Sequence, residues 1–462
     1  MLVSNNSGPR FSPYGDEDRT EAATGGPADR RWVAPTAADP LNARIMLPGS
    51  KSLTNRELVL SALADAPSLL RRPLHSRDTR LMVEALRSLG VDIEEVDGDG
   101  AFGPDLLITP PDELTGSVSI DCGLAGTVMR FVPPLAALAL GPVAFDGDES
   151  ARRRPMRTTV EALRALGVDV NDDGRGTLPF SLWGRGAIRG GELAIDASAS
   201  SQFVSGLLLA APRFEEGIVL RHTGEHLPSM PHIEMTVQCL ADRGVRVDSP
   251  EPGVWVVEPA PIAGLDVTIE PDLSNAAPFL GAALIAGGTV TVDGWPARTT
   301  QVGADLTHLL PHFGATVRHD ADGAVTVDGG EGLRGGRAIS GVTLDLSTGG
   351  ELAPALVALA ALAAGPSTIT GIGHLRGHET DRLAALTAEI TALGGAIREL
   401  EDGLALEPAT LTGGPWRAYE DHRMATAGAM IGLVVEGVEV DDITTTAKTL
   451  PEFPELWQGL LA

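Results

Sequence analysis

The sequence predicts a mixed α/β protein of two lobes, with helices buried at the centre of each lobe and sheets outside. Three observations lead to this fold class. The chain has 462 residues, more than a single hydrophobic core normally organises. One pattern of helix and strand recurs six times along it. The helices of that pattern are rich in alanine and leucine and contain little charge, which is typical of helices buried on all sides.

The recurring pattern begins with a polar turn, continues as a helix and ends in a β-branched strand, and successive copies lie 71 to 76 residues apart. The residues that mark the six helix openings are Lys51, Gly126, Ser201, Asn275, Glu351 and His422. A second, Leu-rich helix follows in each copy, at residues 83–90, 160–167, 237–245, 306–317, 386–397 and 454–461. One copy is too small for an independent core, so three copies are expected to pack together in each lobe.

The boundary between the third and fourth copies suggests where the lobes divide. If the first strand of the chain belongs with the second lobe, the chain crosses between the lobes near Pro48 and Gly49 and again near Gly264, which predicts a hinge. The N-terminal residues are polar, lack an apolar segment and predict disorder. The predicted parts are a disordered extension (1–30), a first lobe (49–268) and a second lobe (31–48 with 269–462).

Composition excludes several classes of partner. The formal net charge is -27, so long-range repulsion disfavours nucleic acid and anionic membranes, although a local cationic pocket remains possible. Cys122 and Cys239 are too few for a disulfide framework, and no Cys/His spacing resembles a zinc site. No apolar run is long enough to cross a bilayer. We therefore expect a soluble, cytoplasmic protein without a metal.

The stretch 47–56, Leu-Pro-Gly-Ser-Lys-Ser-Leu-Thr-Asn-Arg, combines a turn with the opening of a helix. Ser50 or Ser52 can cap this helix, and its free backbone N–H groups lie beside Lys51 and Arg56. Such an opening is a favourable place for an anion. Taken alone, the stretch fits a capped surface helix with solvated basic residues equally well.

Several motifs together resemble one family. They are Pro48-Gly49-Ser50-Lys51-Ser52-x-Thr54-Asn55-Arg56, Ala125-Gly126-Thr127-x-Met129-Arg130, Arg154-Pro155-Met156, Ser200-Ser201-Gln202-Phe203, Glu379-Thr380-Asp381-Arg382-Leu383, Asp421-His422-Arg423-Met424 and Ala447-Lys448-Thr449. In this order they resemble the 5-enolpyruvylshikimate-3-phosphate (EPSP) synthases, enolpyruvyl transferases of the shikimate pathway. The resemblance extends from about Trp32 to the C-terminus.

The resemblance implies a fold and a reaction. The fold is a two-lobed inside-out α/β barrel, each lobe built from three βαβαββ units, with the first strand in the second lobe. The reaction joins phosphoenolpyruvate to the 5-hydroxyl of shikimate 3-phosphate through a tetrahedral intermediate and releases phosphate. It requires no metal or other cofactor. Its partners are these two small molecules, and we expect a monomer.

The resemblance also implies binding residues, which fall into two groups. The phosphoenolpyruvate group is Lys51, Gly126, Arg154, Gln202, Arg382, Arg423 and Lys448. The shikimate 3-phosphate group is Ser52, Arg56, Ser200, Ser201, Gln202, Ser229, Glu351 and His378. Cationic side chains are needed because two phosphates and two carboxylates must come together. Each basic residue by itself fits a solvated surface charge, and the Ser200-Ser201 pair fits a helix cap.

Three residues are expected to carry the proton transfers. Glu351, at a helix opening, is the expected proton acceptor for the 5-hydroxyl. Lys51 could protonate the methylene carbon, and Glu379 could share that proton. The sequence does not divide these roles, and a glutamate at a helix start also fits a simple cap that compensates the helix dipole.

The sequence departs from the common family pattern at several positions. Leu124 stands where asparagine is frequent, and His378 where lysine is frequent; His378 could still bond the substrate. Glycine at position 126 implies sensitivity to glyphosate. Phe131 stands where proline is frequent in the family, and this departure weakens the implication. The alternative enzyme is the sister transferase that acts on UDP-N-acetylglucosamine. It usually has a reactive cysteine, whereas Cys122 is expected to be a buried structural thiol.

Overall fold

The computed structural model describes residues 31–321 and 323–462. The disorder predicted for residues 1–30 lies outside the described residues. The α-helices of the described part are α1 (Lys51–Ala62), α2 (Arg77–Ser88), α3 (Gly126–Ala136), α4 (Arg157–Ala165), α5 (Gln202–Ala210), α6 (Met230–Asp242), α7 (Ala276–Ala286), α8 (Leu306–Leu309), α9 (Ala353–Ala361), α10 (Arg382–Ala392), α11 (His422–Gly432) and α12 (Phe453–Gly459). None of these helices is long and apolar enough to cross a membrane.

The strands of the described residues are short and alternate with the helices. They are β1 (Trp32–Val33), β2 (Leu41–Ile45), β3 (Ser68–Arg71), β4 (Asp92–Val96), β5 (Asp105–Thr109), β6 (Val118–Asp121), β7 (Leu140–Asp146), β8 (Asp169–Asn171), β9 (Phe180–Arg185), β10 (Gly191–Ile195), β11 (Ile218–His222), β12 (Val247–Asp248), β13 (Val254–Val257), β14 (Asp266–Thr268), β15 (Gly288–Val292), β16 (Thr316–His319), β17 (Val325–Asp328), β18 (Thr343–Asp345), β19 (Ser367–Thr370), β20 (Ala396–Leu400), β21 (Gly403–Glu407), β22 (Gly414–Trp416) and β23 (Val438–Val440).

These strands form six sheets that follow the six sequence repeats. In the sheet β6-β7-β9-β8, for example, β6 precedes helix α3 and β7 follows it. These two strands pair in parallel, and the other two pairs of neighbouring strands are antiparallel. The other four-stranded sheets have equivalent orders, which are β14-β3-β5-β4, β10-β11-β13-β12, β2-β15-β17-β16 and β18-β19-β21-β20. The sixth sheet is β22-β23-β1. A mixed α/β fold built from one repeated unit is thereby confirmed.

Two sheets exchange their leading strands. The strand before α1, β2, pairs in parallel with β15 of the fourth unit, and β14, which precedes α7, pairs in parallel with β3 of the first unit. The two connecting segments lie side by side, because Ser50 N–H donates to the Glu270 carbonyl (2.8 Å) and Asp272 N–H donates to the Pro48 carbonyl (2.9 Å). Gly49 and Pro271 form an antiparallel bridge between these bonds. Residues 48–50 and 270–272 therefore pass each other as a paired antiparallel connection.

The buried apolar residues separate into two clusters. One contains side chains from Leu58 to Ile269, and the other contains side chains from Ala34 to Leu47 and from Leu273 to Leu460. We propose that these clusters are the cores of two lobes, the first of residues 49–268 and the second of residues 31–48 and 269–462. The strand exchange supports this division, and the names first lobe and second lobe are used below in this sense.

Helices lie inside each cluster. Every residue of α3, α7 and α9 is buried. In the first lobe α3 packs on α5, and in the second α7, α9 and α11 pack on one another. Gly206 of α5 lies so close to α3 that a Cβ atom there would be 2.2 Å from the Arg130 carbonyl oxygen. This close packing of small apolar residues confirms the prediction of internal helices and external sheets.

One predicted helix is much shorter than expected. The fourth Leu-rich pattern, residues 306–317, predicts a helix like its counterparts, but only the four residues of α8 are α-helical. A 3₁₀ turn, Leu310–Phe313, follows directly and contains Pro311 near its start. Proline lacks the N–H that would continue the α-helical hydrogen bonds, which explains the early end.

A buried ion pair joins α1 to α6 in the first lobe. Arg243, which follows α6, donates through Nε and Nη2 to Glu57 Oε2 (3.0 and 2.7 Å). Its remaining donors bond to Ser61 Oγ, Ser68 Oγ and the Ala263 carbonyl. The Arg243 guanidinium is therefore fully satisfied although it is buried. This pair holds α1, whose opening faces the site described below, against the end of α6 and the segment that contains Ala263.

We predict that Arg243→Met destabilises the first lobe, because the Glu57 carboxylate would remain buried without its partner. Removing one member of a buried pair costs about 3–5 kcal/mol. The measurement is urea unfolding, compared with that of Arg246→Met. Arg246 pairs with Asp248 on the surface, and exposed pairs contribute about 0–1 kcal/mol. Equal unfolding midpoints for the two variants would contradict a stabilising role for the buried pair.

Candidate active site

A cavity between the two lobes collects the openings of helices from all six repeats. It is lined by residues that begin or immediately precede α1, α3, α5, α7, α9 and α11. These residues are Ser50, Lys51, Ser52, Gly126, Thr127, Ser201, Gln202, Ser274, Glu351, His422 and Arg423. Free N–H groups at helix openings attract anions. Their convergence makes the cavity suited to anionic ligands.

Asp272 ties together the openings that meet at the connection between the lobes. Its Oδ2 atom accepts the N–H of Lys51, the first residue of α1 (3.0 Å). Its Oδ1 atom accepts the N–H groups of Ser274 and Asn275 (3.1 Å each), just before α7. Burial raises the pKa of Asp272, while these N–H donors lower it. One carboxylate thus fixes two helix openings from different lobes relative to each other.

Lys51 is the cation at the first of these openings. Burial lowers its pKa, whereas the Asp78 carboxylate, 3.7 Å from Nζ, raises it. The nearby cations Lys448 and Arg423 lower it further. Asp78 therefore favours the charged form of Lys51 in a cavity that already contains other positive charges.

Polar groups converge on the backbone of Gly126. A Cβ atom at this glycine would lie 3.1 Å from Arg154 Nη2, 3.1 Å from Gln202 Oε1 and 3.2 Å from Arg130 Nη1. Three of the buried atoms here have no hydrogen-bond partner among the described residues, namely the Nε atoms of both arginines and Gln202 Oε1. Unpaired buried polar atoms of this kind are costly unless a ligand satisfies them. The two arginine Nε–H groups are donors that an anion can satisfy, whereas Gln202 Oε1 is an acceptor. The absence of a side chain at Gly126 leaves room for an oxyanion.

Glu379 lies between cations of the second lobe. Its carboxylate accepts from Lys448 Nζ (2.6 Å) and from Arg382 Nη2 (2.9 Å). Burial by itself raises the pKa of Glu379, but these cations with Arg154 and His378 hold it well below its usual range. Glu379 is therefore a fixed negative charge that balances part of the cationic cluster.

The predicted cations of the second lobe differ in how many of their N–H donors already bond to other residues of the protein. Arg382 already donates through Nε and Nη2 to Asp421. Among the described residues, no hydrogen bond from the Arg423 guanidinium is found, although Arg423 lines the cavity. Lys448 does not line the cavity but donates to the Leu124 carbonyl (3.2 Å) in the first lobe. Arg423 is thus the cation with the most free donors on this side.

The predicted serines also belong to the cavity lining. They are Ser52, Ser200, Ser201 and Ser229. Ser229, at the start of α6, has a left-handed backbone with φ of 53°, a conformation that is unfavourable for most residues other than glycine. A strained serine at a helix opening is consistent with a binding role, and the four hydroxyls together could bond one phosphate.

Arg56 also lines the cavity, and four of its five N–H donors already bond within the protein. Its guanidinium donates to Thr236 Oγ1 (2.8 Å), to the Ser52 carbonyl (2.8 Å) and to the His232 carbonyl (2.8 Å), with a weaker bond to Ser205 Oγ. Burial lowers its pKa to about 10, which leaves it charged at neutral pH. Arg56 therefore holds α1, α5 and α6 together beneath the cavity and adds positive charge to it.

Glu351 extends from the second lobe toward the first. Its Oε2 atom lies 2.5 Å from His232 Nε2, and its Oε1 atom accepts from Ser274 Oγ. Burial by itself raises its pKa, but His232, Arg423 and the Ser274 hydrogen bond outweigh burial and hold the pKa well below the usual range. Both oxygens bond to side chains outside α9, which favours a role in the cavity over the alternative of a helix cap.

The cavity lining also includes residues that were not predicted as site residues. Among them are Arg130, His232 and His374. His232 lies three residues after Ser229 on the same turn of α6, so helical spacing was a signal that could have identified it.

His378, predicted to bond the substrate, lines the cavity. Burial and the neighbouring Arg382 lower its pKa well below the usual range. The neutral imidazole accepts from Arg382 Nη1 through Nδ1 (3.5 Å). His378 is therefore available as a hydrogen-bonding group and not as a cation.

The fold and the cavity together are typical of the enolpyruvyl transferases, in which anionic substrates meet between two lobes of internal helices. The sequence model of the EPSP synthase (3-phosphoshikimate 1-carboxyvinyltransferase) family matches residues 35–457. The chain belongs to this family.

Individual relatives agree with this assignment. A curated 3-phosphoshikimate 1-carboxyvinyltransferase from Kocuria rhizophila is 57% identical over 438 residues, which cover 94% of this chain and 97% of the relative. An EPSP synthase structure from Acinetobacter baumannii matches with a TM-score of 0.76 at 23% identity, over 93% of this chain and 98% of that one. The enolpyruvyl transferase NikO from Streptomyces tendae matches with a TM-score of 0.71 at 18% identity, over 92% and 96%. The two structures support the fold alone.

We predict that Asp78→Asn weakens anion binding at alkaline pH. The Asp78 carboxylate raises the pKa of Lys51, so its removal lowers that pKa. The Lys51 charge is then lost at a lower pH than in the unaltered protein. The measurement is the affinity for inorganic phosphate as a function of pH by calorimetry.

The matched control for this measurement is Asp148→Asn, which removes a carboxylate paired with the exposed Arg77. Phosphate changes its own charge equally in every sample, so only differences between the curves matter. An alkaline decline at the same pH in Asp78→Asn and in the unaltered protein would contradict the role assigned to Asp78.

Proposed function

We propose that the protein transfers the enolpyruvyl group of phosphoenolpyruvate to the 5-hydroxyl of shikimate 3-phosphate, giving 5-enolpyruvylshikimate 3-phosphate and phosphate. The observation that carries this proposal is the cavity lined by both lobes, in which Gly126 and the polar groups around it share one lining with Glu351 and the serine group. Membership of the EPSP synthase family and the name of the 57% identical relative support the same reaction in the shikimate pathway.

Phosphoenolpyruvate is assigned to the cationic side of the cavity. Its phosphate would bind the backbone of Gly126 with Arg154, Gln202 and Lys51. Arg423 would bind the carboxylate through two parallel hydrogen bonds, which suits a planar guanidinium with free donors. Arg382 and Lys448 complete this side. Because both already bond to Glu379, they would act by their charge and by holding that carboxylate in place.

Shikimate 3-phosphate is assigned to the serine side. Ser200, Ser201 and Ser229 would surround its phosphate, with Gln202 between the two substrates. Ser52, Arg56 and His378 would complete the site with hydrogen bonds and positive charge. Glu351 would contact the 5-hydroxyl, since it lines the same cavity and bonds to residues of both lobes. Such an arrangement would bring the attacking oxygen beside the enol carbon and lower the entropic part of the barrier.

The chemical steps require one proton acceptor and one proton donor. We assign the acceptor to Glu351, which would remove the 5-hydroxyl proton as the oxygen attacks the enol carbon. Lys51 would protonate the methylene carbon and then recover that proton as phosphate leaves. Glu379 would keep the surrounding cations in place and take part in proton transfer near Lys448. The converging helix openings would stabilise the negative charge on the phosphate as it departs.

The sister reaction on UDP-N-acetylglucosamine is not favoured. Its usual reactive cysteine has no equivalent here, because Cys122 is buried outside the cavity lining and burial raises the pKa of its thiol. A buried thiol of this kind is a poor nucleophile. We further propose that the protein acts as a monomer in the cytoplasm. Both described cysteines are free thiols, which is usual in a reducing compartment.

The proposed function predicts phosphate release when phosphoenolpyruvate and shikimate 3-phosphate are supplied together. Neither substrate alone should release phosphate at a comparable rate, because the transfer needs both. The measurement is a coupled phosphate assay, run in parallel with UDP-N-acetylglucosamine as the acceptor. Release with UDP-N-acetylglucosamine and none with shikimate 3-phosphate would contradict the proposal in favour of the sister reaction.

Glyphosate is predicted to inhibit this activity, because glycine at position 126 leaves the cradle open. Gly126→Ala should reduce inhibition, since the added Cβ atom would lie within 3.1 to 3.2 Å of the cradle groups. Its neighbours are ends of flexible side chains, so the variant should fold. The measurement is an inhibition curve at fixed phosphoenolpyruvate for both proteins. Full activity of the unaltered protein at high glyphosate concentration would contradict this prediction.

A further inference from the structure

We infer that His232 positions Glu351 and tunes its basicity, so that the proton acceptor of one lobe is completed by a residue of the other. The inference rests on the proposed function, because it assumes that Glu351 removes the 5-hydroxyl proton. His232 belongs to α6 of the first lobe, and Glu351 directly precedes α9 of the second. The two residues are 119 positions apart, so their meeting is a property of the fold.

The geometry fixes the Glu351 carboxylate in one orientation. His232 Nε2 lies 2.5 Å from Oε2, and Ser274 Oγ donates to Oε1. Both side chains of the pair are 18% exposed and line the cavity. A carboxylate can accept about four hydrogen bonds. With one donor on each oxygen it is held in place, and lone pairs remain available for a substrate hydroxyl.

His232 is itself held firmly in the first lobe. Its backbone carbonyl accepts from Arg56 Nη2 (2.8 Å) on α1 and from Thr236 Oγ1 (3.0 Å) on its own helix. Ser205 Oγ on α5 makes a weaker contact with the same oxygen (3.4 Å). None of these bonds uses the imidazole. The ring therefore remains free to extend across the cavity while its backbone is anchored to three helices.

The lobes also touch directly beside this pair. Ser229 N–H, one turn before His232, donates to the Ser347 carbonyl of the second lobe (3.4 Å). If the lobes separated about the double connection, both this contact and the His232–Glu351 contact would break. Glu351 would then lose the donor on its Oε2 atom. The structure thus links orientation of the acceptor to approach of the lobes.

The charge on His232 decides how good an acceptor Glu351 can be. An imidazolium cation beside the carboxylate stabilises its ionised form and weakens it as a base, whereas a neutral imidazole supplies only a hydrogen bond. The pKa of Glu351 is already held well below its usual range. The other charged or titratable groups that act on the pair are Arg56, Asp272, His374, Arg382 and Arg423.

The proton transfer balances without a further reactant. The O–H bond of the 5-hydroxyl breaks, its proton passes to Glu351 Oε1, and its electron pair forms the new C–O bond to the enol carbon. The C=C electron pair takes up a proton at the methylene carbon from Lys51. Ser274 Oγ, which donates to Oε1 beforehand, can rotate and accept from the protonated carboxyl. His232 keeps its hydrogen bond to Oε2 throughout and acts only through Glu351.

Two substitutions separate the orienting effect from the charge effect. His232→Gln keeps a side-chain donor but does not titrate, and His232→Ala removes the donor and the charge. Glu351→Gln gives the loss expected when the acceptor itself is removed, roughly 10²-fold or more in kcat. The matched control is His308→Gln, which replaces an exposed histidine on α8. The measurements are kcat and KM for phosphate release from pH 5 to 8.5, with a thermal unfolding curve for each variant.

We expect His232→Ala to lower kcat roughly tenfold or more at every pH, with smaller changes in KM for both substrates. His232→Gln should keep kcat within a few-fold at pH 8. It should also show a weaker decline of kcat toward pH 5 than the unaltered enzyme, because an imidazolium can no longer form beside Glu351. Substrate phosphates titrate equally in all samples. The effect of His232 is therefore read from the difference between the pH profiles of kcat for the variants and for the unaltered enzyme.

Two results together would overturn the inference. The first is that kcat falls toward pH 5 equally in His232→Gln and in the unaltered enzyme, and the second is that His232→Ala keeps a normal kcat. If His232→Ala unfolds, the His232→Gln profile decides alone, and an unchanged acid decline overturns the charge effect. Failure of the proposed function has a different signature, since the unaltered protein would then release no phosphate from the two substrates. A profile of His308→Gln that differs from that of the unaltered enzyme would also count against a specific role for His232.

Discussion

The structure depends on helices that are too apolar to face water. Every residue of α3, α7 and α9 is buried, so these helices have no side available for binding a ligand. Sheets must cover them, and only their ends can reach a cavity. Because the repeat places equivalent helix openings between the lobes, the positive ends of helices from all six units meet in one place. The anion-binding character of the cavity follows from that burial.

A cavity with this many cations needs compensating carboxylates. Glu379 bonds to Arg382 and Lys448, and Asp421 bonds to Arg382 from the other side. These pairs keep the cations charged and oriented, and they also use donors that would otherwise be free for a ligand. The division is uneven, since Arg423 has no such partner among the described residues. Specificity for planar anionic groups therefore depends on which donors the protein leaves unpaired.

Much of the fold could be predicted from the sequence because the repeat is long and its helices are strongly apolar. The helix openings at Lys51 and Gly126 coincide with the first residues of α1 and α3. The short α8 was missed because Pro311 outweighs the local apolar pattern. His232 was missed for another reason. Its partner Glu351 is 119 positions away in the other lobe, and no local pattern encodes a contact between lobes.

The central claim is that two anions bind in one cavity on opposite sides of Glu351. The most direct test is a crystal structure of Glu351→Gln with phosphoenolpyruvate and shikimate 3-phosphate, since the variant should turn over slowly. We predict one phosphate at the Gly126 backbone with Arg154, and the other between the hydroxyls of Ser200 and Ser229. Substrate density outside this cavity, or one phosphate position shared by both molecules, would contradict the account.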